Sequence, residues 1–325
     1  MEHMDNQNNE VLVSIICLAY NHSLFIKKAL DSFVNQETSF NYEIVIHDDC
    51  STDGTKEIIE EYEHKYPHLI NALYEETNQY SKGVPITDTY LLPNARGKYI
   101  AICEGDDYWC DPNKLEKQIT YMEKHKECSM CISNAIVVDA EDNKTGVIHT
   151  IEKDGLVPIE EVIENGGGFI STNSIVCYKK DYVNKPAFFR IIGIDYILQM
   201  YLASKGTVFC FADEMVAYRI GVSGSWTKRN SSDEKRIIVH SRVISALEEF
   251  DKYCDCTYHE SVMKTITKRQ FELDIYSGKN VFKNMKYRVL INEMPIRKKI
   301  KLIFRLSFPK LYKKVKKAFE GSKNE

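Results

Sequence analysis

Three carboxylates fall within four residues, Glu104, Asp106 and Asp107, directly after the apolar run Tyr99–Cys103. Like charges crowded at a strand end repel one another, and Asp is a poor strand former. Such a cluster calls for a cation, or for donors from a ligand. Hard oxygen donors gathered at one point are what Mg²⁺ or Mn²⁺ takes, typically shared with substrate phosphates. A second acidic terminus lies upstream, where Tyr42–His47 runs into Asp48 and Asp49. Two buried-looking strands that both end in carboxylates argue against a merely solvated loop.

The elements that must hold these groups alternate along the chain. Val11–Ala19 reads as a buried strand, and Ser23 offers a cap for a helix with Ile26, Ala29, Leu30, Phe33 and Val34 at helical spacing. Ser51, Thr52 and Asp53 offer caps for a helix carrying Ile58, Ile59 and Tyr62. Ala72–Glu75 reads as a third strand and Val84–Leu92 as a helix. Asp111 precedes a helix with Pro112 at its first position and Leu115, Ile119 and Met122 on one face. Strands alternating with helices predict an α/β fold with a mostly parallel sheet flanked by helices. Ligands bind such sheets outside the carboxyl ends of the strands. Ala19–Asn21, Asp48–Asp53 and Glu104–Asp107 all fall at such ends, which predicts one cleft. Beyond, Ser129–Val138, Ile170–Tyr178 and Thr207–Ala212 read as strands, Gly166–Gly168 as a turn or loop, and Asp195–Ser204 as a helix. From Asp233 the pattern is helical to the end. The expected organisation is a polar segment 1–10, an α/β domain 11–232 with halves 11–125 and 126–232, and a helical region 233–325.

No apolar run approaches the roughly 20 residues of a membrane span. The polar, acidic start lacks the features of a secretory signal, so a cytoplasmic location is expected. Of the ten cysteines, Cys128/Cys131 and Cys254/Cys256 raise the question of zinc. The first pair sits three apart on a strand, on opposite faces. No Cys/His set at the usual spacing completes a four-ligand site, so structural zinc is not expected. The net charge of −4 divides unevenly, with +9 in residues 295–325 and −13 in the rest. That excludes a uniformly basic nucleic-acid binder and gives the tail an anionic partner. Phe308, Leu311, Tyr312, Val315 and Phe319 form a helical stripe crowded by lysines. Two readings stay open: an amphipathic helix at an anionic membrane surface, or a solvated helix packing its stripe on the protein.

With Ala19-Tyr20-Asn21, the run His47-Asp48-Asp49-Cys50-Ser51-Thr52-Asp53-Gly54-Thr55 and Cys103-Glu104-Gly105-Asp106-Asp107-Tyr108-Trp109 in this order, the chain resembles family 2 glycosyltransferases over roughly residues 11–230. The resemblance implies the GT-A fold, with a helical C-terminal extension outside it. It implies inverting transfer of a sugar from a nucleotide sugar, expected to be UDP-linked, to a carbohydrate or lipid-linked hydroxyl. Ala19, Tyr20, Asn21, Asp48 and Asp49 then map to the nucleotide site, with Ser51–Asp53 as turn and cap. Glu104-Gly105-Asp106 maps to the family's Asp-x-Asp motif, so Glu104 and Asp106 are nucleotide ligands. Asp106 and Asp107 become the ligands of Mn²⁺ or Mg²⁺, while Glu104 reaches the ribose or a metal-bound water. Asp195, at a helix start after Gly193-Ile194, maps to the general base, where Ile194 replaces the family's Glu. Asn173 or Ser174 maps to the sugar and acceptor region. Arg219 maps to the diphosphate, and Trp226 to a closing loop over the sugar. The resemblance also implies surface-polysaccharide assembly, and the basic tail would place the protein peripherally at the inner membrane face.

Rival readings fare less well. A sugar nucleotidyltransferase would want a Gly-rich phosphate loop after the first strand, where this chain has Cys17-Leu18-Ala19-Tyr20-Asn21-His22. A dinucleotide oxidoreductase lacks its Gly-x-Gly-x-x-Gly there. A catalytically silent carbohydrate-binding protein differs at Asp195, whose replacement would leave it unaffected.

Overall fold

The computed structural model describes residues 10–186, 188–189, 195–222, 229–230, 232–312 and 314. Its contacts divide the chain into two units, Met1–Ser225 and Trp226–Glu325.

In the first unit, β1 (Val11–Ala19) is buried on both faces from Val13 to Cys17, as its unbroken apolar run requires. It pairs in parallel with β2 (Asn41–Asp48) on one side and β4 (Tyr99–Ile102) on the other, and β2 pairs in parallel with β3 (Ile70–Tyr74). Beyond β4 the sheet changes sense. β9 (Val176–Tyr178) is antiparallel to both β4 and β6 (Cys128–Val138). β10 (Thr207–Arg219) runs parallel to β6 and antiparallel to β5 (Tyr108–Trp109). The order is β3-β2-β1-β4-β9-β6-β10-β5, with β7 (Lys144–Ile148) on β6 and β8 (Gly155–Val157) on β10. The expected parallel sheet is thus confined to β1–β4, β6 and β10 within a mixed ten-stranded sheet.

Helices bury the apolar faces their spacing foretells. α1 (Ile26–Val34) buries Ile26, Ala29, Leu30 and Phe33, and α2 (Thr55–Lys65) buries Ile59 and Tyr62. After α3 (Leu92–Asn94), α4 (Lys114–Lys124) buries Leu115, Ile119 and Met122. Each fully buried aliphatic side chain contributes about 1.5–3 kcal/mol. α5 (Ile159–Asn165), α6 (Lys179–Val183) and α7 (Asp195–Ala203) complete the unit.

Four local expectations change. Ser23 does not cap α1, because its N–H instead donates to Asp53 Oδ2 at 3.0 Å. Helix α4 starts at Lys114 with Asn113 before it, since Asp111 accepts the Asn113 N–H in a tight turn. Val84–Leu92 becomes a wide helical turn at Thr87–Leu91 followed by α3. Ile170–Tyr178 is a strand only from Val176, because Ser171-Thr172-Asn173-Ser174 turns on its own side chains, with Ser174 Oγ donating to Ser171 O at 2.7 Å.

In the second unit, α8 (Asp233–Tyr253) is capped by Ser232, whose hydroxyl accepts the Lys235 N–H. It is followed by α9 (His259–Tyr276), α10 (Arg288–Glu293) and α11 (Ile296–Ser307). Phe271, Val281, Tyr287 and Leu302 form a small core, with Tyr287 donating its hydroxyl to Asp274. Helix α11 therefore has two apolar faces. Leu302 is turned inward, while Ile296, Ile300 and Ile303 stay 68%, 60% and 49% exposed. Phe308 and Leu311 are exposed as well. Val315 and Phe319 lie outside the described residues.

Candidate active site

Two loops at the carboxyl ends of β1 and β2 are stitched together by side chains. Ala19 pairs with Asp48 in the strand register. Beyond them, Asn21 N–H donates to Ser51 Oγ (2.9 Å), His22 N–H to Thr55 Oγ1 (2.8 Å) and Ser23 N–H to Asp53 Oδ2. Asn21 Oδ1 accepts the Thr52 N–H in return, at 2.9 Å, with Asn21 itself in the left-handed region. Burial pulls the Asp53 carboxyl up, but the Thr55 hydroxyl and the Ser23 N–H outweigh it and hold it at about 2. Tyr20 stands 44% exposed beside this seam.

The two aspartates ending β2 differ sharply. Asp48 is buried, and one oxygen accepts the Ser51 N–H at 3.1 Å, while Oδ1 is buried with no hydrogen-bond partner. A buried acceptor without a donor is costly and suits a ligand N–H or O–H. Asp49 instead accepts the N–H groups of Gln79 (2.7 Å) and Tyr80 (3.0 Å), one on each oxygen. Its carboxylate is already engaged in fixing the following loop, which corrects its assignment as a nucleotide ligand.

The carboxylate cluster sits on a turn beside β1. Gly105 N–H donates to Leu18 O (3.0 Å), and Asp107 N–H to Glu104 O (3.1 Å). Position 105 favours glycine: a Cβ there would come within 2.8 Å of Ile26 Cδ1 and 2.9 Å of His22 Nδ1, so both side chains would have to shift. Glu104 is exposed, Asp106 half-buried and Asp107 buried. Burial, then the charges of Asp106 and Glu104, push the Asp107 carboxyl well above the usual range, against a 2.7 Å hydrogen bond from Arg219 N–H.

Arg219 is the clearest correction. Its guanidinium is buried and donates to Asp106 O (2.8 Å), Asp139 O (2.7 Å) and Asp142 Oδ1 (2.6 Å), with its plane 4.5 Å from the Phe25 ring. With its nitrogens spent on protein oxygens, Arg219 anchors the Asp106–Asp107 turn rather than gripping a diphosphate.

Across the cleft, Asp195 opens α7 and accepts the Thr172 hydroxyl at 3.0 Å. It keeps exposed surface, yet enough protein surrounds the carboxyl that desolvation raises its pKa, opposed by the Thr172 bond. Thr172 is the residue of its turn that meets Asp195. Asn173 instead donates to Ala217 O and accepts from Ser171, while Ser174 is fully buried. Both are therefore supports of the cleft floor, not sugar contacts, and Trp109 donates its indole N–H to Asn173 O beneath them. Trp226 lies outside the described residues.

Two further residues escape sequence reading. The Tyr218 hydroxyl is pushed up to about 12 by burial and by four carboxylates, Asp107, Glu104, Asp106 and Asp195. Burial lowers the His22 imidazole against the pull of Asp106, Asp53 and Asp48, and its Nδ1 is buried without a partner. Neither has a sequence signature beyond its place next to a loaded segment.

A Rossmann-like sheet whose parallel strand ends gather an orphaned carboxylate oxygen, an acidic turn and a raised-pKa carboxylate defines the GT-A class of nucleotide-sugar enzymes. The model for "Glycosyl transferase family 2" matches residues 14–185, more than half of the chain, and the chain belongs to that family. A Mycobacterium tuberculosis protein of uncharacterised function is 35% identical over 215 residues, covering 66% of this chain and 60% of that one. The chain thus spans about 60% of the length of such curated relatives. The Escherichia coli UDP-Glc:alpha-D-GlcNAc-diphosphoundecaprenol beta-1,3-glucosyltransferase WfaP is 39% identical over 115 residues, 35% of this chain and 43% of that one. A Pyrobaculum calidifontis mannosyltransferase solved with GDP-Man and Mn²⁺ shares the fold, with TM-score 0.52 and 14% identity over 93% of this chain and 88% of that one.

Proposed function

We propose that the chain is an inverting glycosyltransferase that moves a sugar from a UDP-linked donor to a saccharide or lipid-linked hydroxyl in surface-polysaccharide assembly. The observation that carries this reading is the buried Asp48 Oδ1 at the carboxyl end of β2, an acceptor with no hydrogen-bond partner, and the charges of the acidic turn and of Asp195 both bear on the Tyr218 hydroxyl. The orphaned Asp48 Oδ1 suits the imide N–H of a uracil, a donor seeking a carboxylate oxygen. Ala19, Tyr20 and Asn21 form the wall beside it.

Asp195 serves as general base. Burial and the Thr172 hydrogen bond set its basicity, and it takes the acceptor's proton as that oxygen attacks the anomeric carbon. The acidic turn fits a divalent cation. Asp106 and Glu104 raise the proton affinity of the buried Asp107, while the guanidinium of nearby Arg219 is committed to carbonyls and to Asp142. Asp106 and Asp107 would hold Mn²⁺ or Mg²⁺, with Glu104 reaching the ribose. When bound, the ion would offset the charge developing on the leaving nucleoside diphosphate.

The acceptor side is proposed from the basic α11 region. Ile296, Ile300 and Ile303 form an exposed stripe flanked by Arg297, Lys298, Lys299 and Lys301, the composition of a helix lying on an anionic lipid surface. Among the described residues no helix is long and apolar enough to cross a membrane. Deleting residues 295–325 would also remove Leu302 from the small core, so Ile296→Ser/Ile300→Ser is the cleaner variant. Reduced sedimentation with anionic vesicles is expected, and unchanged sedimentation removes the membrane assignment.

The decisive experiment measures nucleotide release from a panel of nucleotide sugars with Mn²⁺, for the wild type and for Asp195→Asn. One donor turned over by the wild type, with release lowered about 10²–10⁴-fold in the variant and UDP affinity retained, is the expected result. Wild-type rates in Asp195→Asn would remove the base. UDP binding without turnover across donors and acceptors would favour the silent reading.

A further inference from the structure

The second unit holds a cluster that the glycosyltransferase reading does not use. Asp251, in the last turn of α8, Cys256, in the connection, and His259, first residue of α9, each place one donor atom within 4.8 Å of the others. Among the described residues, this is the one group of three or more His, Cys, Asp or Glu side chains that converges so closely. We propose that it binds a zinc ion.

The backbone builds the convergence. Asp255 and Cys256 both adopt positive φ, 50° and 59°, which L-residues rarely do. That reversal lets the Cys256 N–H donate to Asp251 O at 2.9 Å, while Cys256 O accepts the His259 N–H at 3.2 Å. Asp251 is buried, its Oδ2 lies 2.7 Å from His259 Nδ1, and its Oδ1 is buried with no hydrogen-bond partner. The orphaned oxygen belongs to the same carboxylate that touches the histidine. It leaves the buried carboxylate with one acceptor atom free to ligate a cation shared with the histidine and the thiol.

The donor set selects the metal. A thiolate, an imidazole and a carboxylate suit Zn²⁺, whereas Mg²⁺ and Mn²⁺ prefer all-oxygen sites such as the Asp106–Asp107 turn. Donors at about 2.0–2.3 Å from a tetrahedral centre lie about 3.3–3.7 Å apart. Closing the site therefore takes two small adjustments: the Asp251 Oδ2–His259 Nδ1 contact of 2.7 Å opens by about 0.6 Å or Oδ1 ligates instead, and the other separations, all within 4.8 Å, shorten by up to about one ångström, with Cys256 giving up its proton. Water completes the fourth corner. Cys256 looked unpartnered in sequence because its partners are a carboxylate five residues earlier and a histidine three residues later.

The test uses the full chain, stripped by chelator under reducing conditions and titrated with Co²⁺. A thiolate-to-cobalt charge-transfer band saturating at one equivalent and displaced by Zn²⁺ is expected. Cys256→Ser should abolish the band, His259→Ala should weaken Co²⁺ binding at least tenfold, and Cys254→Ser should leave it intact. Circular dichroism of each variant confirms that its helices persist. No band in the wild type, or a band kept by Cys256→Ser and lost by Cys254→Ser, overturns the proposal.

Discussion

Replacing Lys114 by Met should stabilise the protein at neutral pH and remove a pH dependence between about pH 7 and 10. Lys114 is fully buried at the start of α4, where its ammonium donates to Gln118 Oε1 at 2.8 Å and lies 4.1 Å from the Trp109 ring centroid. Burial lowers its pKa from 10.5 to about 7. Because the folded value lies below the unfolded one, the unfolded chain carries a proton between pH 7 and 10.5 that the folded chain does not. Stability therefore rises with pH through that window, and the full penalty persists below pH 7. At about 1.4 kcal/mol per pH unit, the gap amounts to about 5 kcal/mol. The Met variant escapes that cost but strands the Gln118 carbonyl, at about 1–3 kcal/mol. The net expectation is a variant more stable by about 2–4 kcal/mol at pH 6–7. By pH 10 that advantage is gone, because the Lys penalty has shrunk to about 0.8 kcal/mol while the Gln118 cost remains. Urea unfolding of both proteins at pH 6, 7, 8, 9 and 10 reads the difference directly, since other titrating groups cancel between them. A difference that stays flat across this range, or a Met variant less stable at pH 6, refutes the argument.

Three further outcomes follow from the site. Thr172→Val removes the hydrogen bond that opposes burial at Asp195, so the acid limb of kcat/KM should move to higher pH while the plateau survives; an unmoved limb would separate Thr172 from the base. Gly105→Ala places a methyl within 3.0 Å of Ile26 Cδ1 and His22 Nδ1, and should cost about 1–3 kcal/mol in urea unfolding together with weaker UDP binding by calorimetry. Arg219→Met removes the buried guanidinium from three carbonyls and from Asp142, which is itself exposed and keeps Lys28 as a partner, and should destabilise by about 1–3 kcal/mol; a variant of wild-type stability that merely loses diphosphate affinity would restore Arg219 as a phosphate ligand.

What sequence could reveal here depended on whether a signal was local. The runs that became β1, β2 and α1 are dense in apolar residues at one period, so their burial faces were legible. The sheet's change of sense after β4 was not, since it depends on β9 and β6 meeting across distant stretches of chain. Among site residues, the strand-end carboxylates announced themselves by charge. Arg219 misled because an arginine beside an acidic turn looks the same in sequence whether it faces a ligand or the Asp139–Asp142 loop. Thr172 was hidden behind Asn173 and Ser174. Which of three polar neighbours points into a cleft is decided by a turn of one residue.

On the proposed nucleotide site, the seam between the Asn21–Ser23 and Ser51–Thr55 loops governs how a donor preference could be transplanted. Three consecutive N–H groups of one loop are satisfied by side chains of the other, and Asn21 answers with its own amide oxygen. Grafting either loop alone from a relative with a different base preference would strand those donors. The two loops are exchangeable only as a pair, so a chimera that retunes the donor must carry both segments across together.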